Sequence, residues 1–235
     1  MKAMILAAGL GTRLKPWTDK HPKALAIVNG KSLLQRNVEY LQQFNIYDVV
    51  INVHHFAPQI TDAIKKNKGW GSHILVSDET SEVLETGGGL KKAASYFSGS
   101  PHPFLLMNVD ILTNLNIHQL LQAHLTKKAL ATLAVSNRQS SRYLLFNTEN
   151  LLCGWYNQKT GEKKGVEGNK KAFSGIHIIS PGLLPLITET GKFSILDVYL
   201  RICHEQPILG YDHSGDLLQD AGSPESILAA EKKFN

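Results

Sequence analysis

The segment Leu6-Ala7-Ala8-Gly9-Leu10-Gly11-Thr12-Arg13-Leu14 gathers the residues best suited to chemistry. Gly9 and Gly11 let the backbone turn sharply and come close to a ligand. Successive N–H groups in such a loop hold phosphate oxygens, and Arg13 adds a charged fork that suits a triphosphate. Two familiar phosphate loops fail here. The P-loop order of Gly, four residues, then Gly-Lys-Ser/Thr is absent. The dinucleotide fingerprint needs a third glycine where the chain has Leu14. The acidic residue expected about 20 positions further on is missing too, so a nicotinamide enzyme is disfavoured.

Beyond the loop comes His21-Pro22-Lys23. Pro22 fixes the local chain, and Lys23 can swing back towards Gly9 and Gly11; read alone, it is equally an exposed lysine after a turn. Asp110 closes the apolar run Phe104 to Val109, and a carboxylate at the carboxyl end of a parallel strand faces the ligand crevice. Asp220 repeats the shape in Leu217-Leu218-Gln219-Asp220-Ala221-Gly222-Ser223-Pro224. Each aspartate also reads as a turn or cap residue. Asn52 and His54 end a strand on the ligand side, and the adjacent His54 and His55 point to opposite faces, so a shared ion is not expected. Gly87 to Gly89 can give a ligand access to backbone groups, or can simply open a helix.

These residues need elements to hold them. Ala3 to Ala7, Asp48 to Val53, His73 to Val76 and Phe104 to Val109 read as buried strands. Between and after them lie helical stretches: one capped by Ser32, then Pro58 to Lys66, Gly87 to Phe97 and Ile117 to Leu125. Four strand-then-helix steps imply a mostly parallel sheet with helices on both faces. The second half is less regular. Ala129 to Val135, Tyr143 to Phe146, Leu151 to Tyr156 and Ala172 to Ile179 read as strands, and Ser223 to Phe234 as a closing helix with Pro224 in its first turn. No repeat or linker divides the 235 residues, so one domain is expected.

Composition narrows the classes. At 43% hydrophobic and 19% charged, the chain is neither disordered nor fibrous. No apolar run approaches the roughly 18 residues of a membrane span, and no membrane partner is expected. Cys153 and Cys203 alone make neither a disulfide framework nor a zinc ribbon, and they suit a reducing cytoplasm. Lys159 to Lys171 holds five lysines and two glutamates, a local excess of +3 within a net charge of +5. It has no interleaved aromatics, so nucleic acid is not the expected partner. A solvated loop, or one that meets an anionic small substrate, fits better.

The set formed by Leu6 to Arg13, Pro22-Lys23 and the mid-chain Asp110 resembles the sugar-1-phosphate nucleotidyltransferases, along essentially the whole chain. The length and the segment Leu84-Glu85-Thr86-Gly87-Gly88-Gly89 look most like the N-acetylmuramate-1-phosphate uridylyltransferases, and also like the catalytic domain of mannose-1-phosphate guanylyltransferases. The resemblance implies a Rossmann-like three-layer α/β/α sandwich, with residues 1–128 as the nucleotide half and 129–235 as the sugar half. It implies Mg²⁺ held by Asp110 and Asp220, with Arg13, Lys23 and Asp110 as the catalytic set. Leu6, Ala8, Gly9, Gly11, Thr12, Arg13, Lys23, Asn52, Thr86, Gly87 and Gly88 would bind the nucleotide. Glu85, Asn108, Ser174, Gly175 and Asp197 would face the sugar, although Gly175 also reads as a strand bend and Asp197 as a helix N-terminal charge. The chain departs from the usual family pattern at Val109, Ala24 and Leu218, and none of these changes removes a ligand. The substrates implied are a nucleoside triphosphate and a sugar 1-phosphate, best matched by UTP and N-acetylmuramate 1-phosphate, in a cytoplasmic monomer or small homo-oligomer. A cytidylyltransferase acting on a phospho-alcohol is the rival enzyme, and a non-catalytic nucleotide-sugar sensor is the rival of another class.

Overall fold

The computed structural model describes residues 1–234. The first half runs β1 (Ala3–Leu6), β2 (Ile27–Val28), β3 (Lys31–Ser32), α1 (Leu33–Gln42), β4 (Asp48–Val53), α2 (Ala57–Lys66), β5 (His73–Asp78), α3 (Glu85–Lys92), β6 (Phe104–Asn108), β7 (Ile111–Thr113) and α4 (Ile117–Thr126). The second half runs β8 (Ala131–Ser136), β9 (Arg142–Phe146), β10 (Leu152–Asn157), β11 (Lys163–Gly165), β12 (Asn169–Ile179), α5 (Ile195–Ile202), β13 (Ile208–Asp212), β14 (Leu218–Asp220) and α6 (Pro224–Lys233).

Alternation along the central strands builds two cores. Ala3 and Ile5 of β1, Val49, Ile51 and Val53 of β4, and Leu105 and Met107 of β6 face one core; Met4, Leu6, Val50, Phe104 and Leu106 face the other. Successive strand residues point to opposite faces, so continuous apolar runs are what a sheet covered on both sides requires. Leu33, Leu34, Val38 and Leu41 of α1 and Ile60 and Ile64 of α2 cover the first face. Leu90 of α3 and Val198, Tyr199 and Ile202 of α5 cover the second. The result is a three-layer α/β/α arrangement.

Strands β5, β4, β1 and β6 are mutually parallel, as the sequence predicts. The second half adds antiparallel strands to the same ten-stranded sheet: β12 pairs β6, β8 and β9, and β10 links β9 to β11. β13 returns parallel to β8. The register of β12 against β8 shifts between Phe173 and His177, and Gly175 within that bulge has φ 75°. Ser32 caps α1 by accepting from Gln35 N at 3.1 Å, and Ser223 and Ser226 form a capping box on α6. The helix expected from Gly87 begins earlier, at Glu85, and ends at Lys92; a 3₁₀ turn, Ala94–Tyr96, finishes the stretch.

A strand absent from the sequence reading matters for the site. β7 follows directly on Asp110 and pairs antiparallel with β14, which ends on Asp220. Ala221 N donates to Asp110 O at 2.7 Å. This ribbon brings the mid-chain Asp110 and the late Asp220 together.

Candidate active site

The loop after β1 is fixed from beneath. Ala7 N donates to Asn52 Oδ1 at 2.7 Å, and Asn52 Nδ2 donates to Glu79 Oε1 at 2.8 Å. Glu79 is fully buried, and its other oxygen has no partner among the described residues. Burial pushes its carboxyl above the ordinary range. His54 closes the support by donating from Nδ1 to Glu79 O. Sequence reasoning found Asn52 but not Glu79, because an acid beyond a strand end normally marks a solvated turn.

The two loop glycines serve different ends. Gly11 has φ 64°, and a Cβ there would lie 2.9 Å from Thr18 Cγ2 and 3.0 Å from Lys23 Cβ. A Cβ on Gly9 would meet no protein atom within 4 Å, so that position leaves room over a cleft. The cleft measures about 450 Å³; Leu6, Ala8, Gly9, Gly11, Thr12, Lys23, Asn52, Glu85, Thr86, Asn108 and Asp110 line it.

Four charges gather at its edge: Lys23 and Asp110 line the cleft, and Arg13 and Asp220 lie beside that lining. Lys23, in a 3₁₀ turn after the extended Pro22, donates from Nζ to Asp110 Oδ2 at 2.5 Å. Both side chains are largely buried, at 15% and 11% exposure. Arg13 reaches over from the loop: its Nη2 lies 3.5 Å from Asp220 Oδ2 and 3.8 Å from Asp110 Oδ2. Asp220 is steadied through Oδ1, which accepts from Gly222 N at 2.8 Å. The structure therefore joins Arg13, Lys23, Asp110 and Asp220 into one cluster of two cations and two carboxylates. Such a cluster can orient phosphates and balance the charge that develops on them.

Other expected site residues are placed differently. Gly87 and Gly88 are buried outside the cleft lining. Their N–H groups go to Phe193 O, and Phe193 N returns a bond to Leu84 O. A Cβ on Gly87 would lie 2.4 Å from the Phe193 ring, and one on Gly88 2.5 Å from Gly191 O. These glycines let the segment before α5 pack against the start of α3; they do not present backbone to a ligand. Ser174 is also corrected. It is fully buried, and its Oγ lies 2.8 Å from His213 Nε2. Gly175 backs onto the Asn108 amide, where a Cβ would lie 2.8 Å from Nδ2. Asp197, in the first turn of α5, lines a neighbouring groove and not the cleft.

Packing of that segment supplies lining residues that the sequence did not reveal. Lys192 and Ser194 enter the cleft wall opposite the phosphate-type loop, and Lys192 Nζ lies 3.5 Å from Glu85 Oε1 across the mouth. Ser194 also caps α5, accepting from Leu196 N at 3.2 Å. No local motif marks them, because their place depends on a pairing about a hundred residues away, where Ile195 N donates to Thr86 Oγ1.

With this geometry in view, the comparisons with known proteins agree. A family model described as "Nucleotidyl transferase" matches residues 2–234. An N-acetylmuramate alpha-1-phosphate uridylyltransferase of Caulobacter vibrioides is 30% identical, over 99% of this chain and 96% of its own length. One from Neisseria meningitidis serogroup B is 32% identical, over 95% and 94%. Among solved structures, HddC from Yersinia pseudotuberculosis complexed with GMP-PN superposes with a TM-score of 0.81 at 25% identity, covering 100% of this chain and 99% of that one. The match over nearly every residue, together with the loop, lysine and Asp110 in the cleft and Asp220 beside them, means that the chain belongs to the nucleotidyl transferase family, in its sugar-1-phosphate nucleotidyltransferase branch.

Proposed function

We propose that the protein transfers a uridylyl group from UTP to N-acetylmuramate 1-phosphate, or to a closely related hexose 1-phosphate, with release of pyrophosphate. The observation that carries the transfer is the cluster of Arg13, Lys23, Asp110 and Asp220 at the edge of the cleft that Gly9, Gly11, Lys23 and Asp110 line. The base and sugar follow the relatives from Caulobacter and Neisseria.

The acceptor's phosphate oxygen attacks the α-phosphorus, and the bond from that phosphorus to the bridging oxygen breaks. Pyrophosphate leaves with the electron pair. The nucleophile is already anionic, so no general base is needed, and catalysis rests on positioning and charge. The Gly9–Gly11 amides and Arg13 hold the departing pyrophosphate. Lys23, anchored on Asp110, balances charge at the α-phosphate.

The donor set fits magnesium. Asp110 Oδ2 and Asp220 Oδ2 both approach one Arg13 nitrogen, so both border the same small space. Two carboxylates completed by water and phosphate oxygens are what Mg²⁺ ordinarily takes. When bound, the ion would neutralise charge on the reacting phosphates. Both cysteines are free, and no described helix is long and apolar enough to cross a membrane; we place the reaction in the cytoplasm, where UTP is at hand. A phosphocholine acceptor fits poorly, because lysines already sit over the aromatic rings that would cage a quaternary amine: Lys164 over Trp155 and Lys170 over Tyr156.

The test is pyrophosphate release with Mg²⁺, screening the nucleoside triphosphates against muramyl, glucosyl, mannosyl and N-acetylglucosaminyl phosphates and phosphocholine. Release with UTP and the muramyl acceptor is expected. Release with another pair corrects the substrates. Nucleotide binding without release from any pair favours a sensor and overturns the transfer reading.

A further inference from the structure

Asp110 and Asp220 are held in different ways. Asp220 is steadied at its carboxylate, where Gly222 N donates to Oδ1 at 2.8 Å. The Asp110 carboxylate meets only the cations of the cluster, Lys23 at 2.5 Å and Arg13 at 3.8 Å, and phosphates would draw on both. Its aim therefore depends on its backbone, which is tied on three sides. Val109 N donates to Leu6 O at 3.1 Å, and Ala221 N donates to Asp110 O at 2.7 Å. The third tie comes from α1.

Asn37 of α1 is buried, and its Nδ2 donates to Val109 O at 2.7 Å and to Leu33 O at 3.0 Å. Both amide hydrogens are thus spent on carbonyls. The bond to Leu33, one turn back on the same helix, fixes the rotamer from which Asn37 reaches Val109. The Val109 carbonyl belongs to the peptide unit that leads into Asp110. That unit is planar, so holding its oxygen sets the rotation from which the Asp110 side chain springs. The same helix grips the segment once more, beyond β7, where Tyr40 Oη donates to Leu115 O at 2.5 Å.

We propose that Asn37 is a positioning residue for the metal-binding carboxylate of Asp110, acting through the Val109 carbonyl without touching substrate. The proposal rests on the reading of Asp110 and Asp220 as the magnesium pair. Groups that orient a metal's ligands from behind ordinarily contribute tenfold to a hundredfold to metal affinity. The role gives α1 a part in the chemistry, although none of its residues lines the nucleotide cleft.

The test is the affinity of Mn²⁺, a paramagnetic stand-in for Mg²⁺, for the protein saturated with α,β-methylene-UTP, read by electron paramagnetic resonance. Asn37→Leu keeps the branched shape and removes both donors. The Mn²⁺ dissociation constant should rise roughly tenfold or more, and the Mg²⁺ concentration for half-maximal turnover should rise with it. Tyr40→Phe is the control for a merely structural loss: it removes a buried hydrogen bond from the same helix to the same segment, away from Asp110. It should melt earlier by circular dichroism, as Asn37→Leu does, yet keep the Mn²⁺ affinity of the unaltered protein. Asn37→Ser leaves room for a water to donate in place of the amide, so it serves if the leucine variant does not fold, and should show a smaller rise. Unchanged affinity in the Asn37 variants, an equal loss in Tyr40→Phe, or no Mn²⁺ site in the unaltered complex overturns the proposal. Pyrophosphate release by the unaltered enzyme judges the transferase reading separately. Release with unshifted affinity in the Asn37 variants sinks the positioning role alone, and shifted affinity without release from any substrate pair upholds it.

Discussion

Lys23 and Asp110 form the tightest contact in the cleft, and each depends on the other. Removing either leaves a poorly hydrated charge and strips the phosphates of a counter-charge. Lys23→Ala and Asp110→Asn should each lower kcat by roughly a hundredfold or more, as loss of a preorganised electrostatic group does. Stopped-flow or coupled pyrophosphate assays read this directly, and an unchanged rate in either variant refutes the assignment. The support beneath the loop gives a separate prediction. Asn52→Leu leaves Ala7 N unbonded and removes the amide hydrogen bond that the Glu79 carboxyl accepts. The two lost bonds should lower stability by roughly 2 kcal/mol or more in urea titration, and should raise KM for the nucleotide as the loop loosens. At this scale Gly11, Lys23 and Asp110 could be singled out only as a set, since Lys23 alone reads equally as an exposed lysine and Asp110 as a turn or cap residue; the structure brings the three together. The sequence was silent at Glu79 and Lys192, whose environments are made by distant chain.

Elements decide whether those residues meet. The glycines of α3 show how a sequence signal can be seen correctly and given the wrong cause. Three in a row do mark a close approach, but Gly87 and Gly88 approach the segment 191–195 and Gly89 approaches Glu79 and Asn52. Gly88→Ala would push a methyl group against Gly191 O and Leu84 Cβ. It should destabilise by about 1–3 kcal/mol, the usual range for overpacking, and should raise KM for both substrates by displacing Lys192 and Ser194. Thermal melts and steady-state kinetics measured together check both effects. The strands were legible to within a residue or two wherever apolar runs were long, as in β4, predicted and found at Asp48–Val53. β7 was not legible, since three residues carry no periodicity and its role comes entirely from pairing with β14. The bulge in β12 escaped for a related reason: Ser174 and Gly175 read as a site, whereas His213 and Asn108 claim them for packing.

Across the described residues, three histidines are buried with pKa values pushed below the ordinary range by desolvation: His124, His177 and His213. Burial lowers His124 to about 4 and His177 to about 3, from an ordinary 6.5. His124 is held by Thr132 and Ser180, and His177 by Tyr199. Below pH 6.5 the unfolded chain takes up protons at these positions and the native one does not, so each histidine removes stability as pH falls from 6.5 towards its folded value. Each contributes a slope of roughly 1.4 kcal/mol per pH unit in that window. The profile of His124→Gln, measured by urea midpoints between pH 7 and 5, should be shallower than that of the unaltered protein by about that amount. The general architecture was legible because the first half is a plain succession of strand and helix. The second half was harder, since β12 serves three neighbours at once and no local pattern reveals that.

The ribbon of β7 and β14 also orders events in time. Arg13 and Asp220 meet across 207 positions, and Asp110 lies midway. Chains grow at roughly 5–20 residues per second, so Asp110 leaves the ribosome about 5–20 s before Asp220. During that interval the parallel strands can close and the loop, Lys23 and Asp110 can assemble, but the second carboxylate is still unmade. Only when β14 finds β7 does the growing polypeptide bring its second carboxylate to Arg13, so one late aspartate completes a cluster whose other three charges are already made.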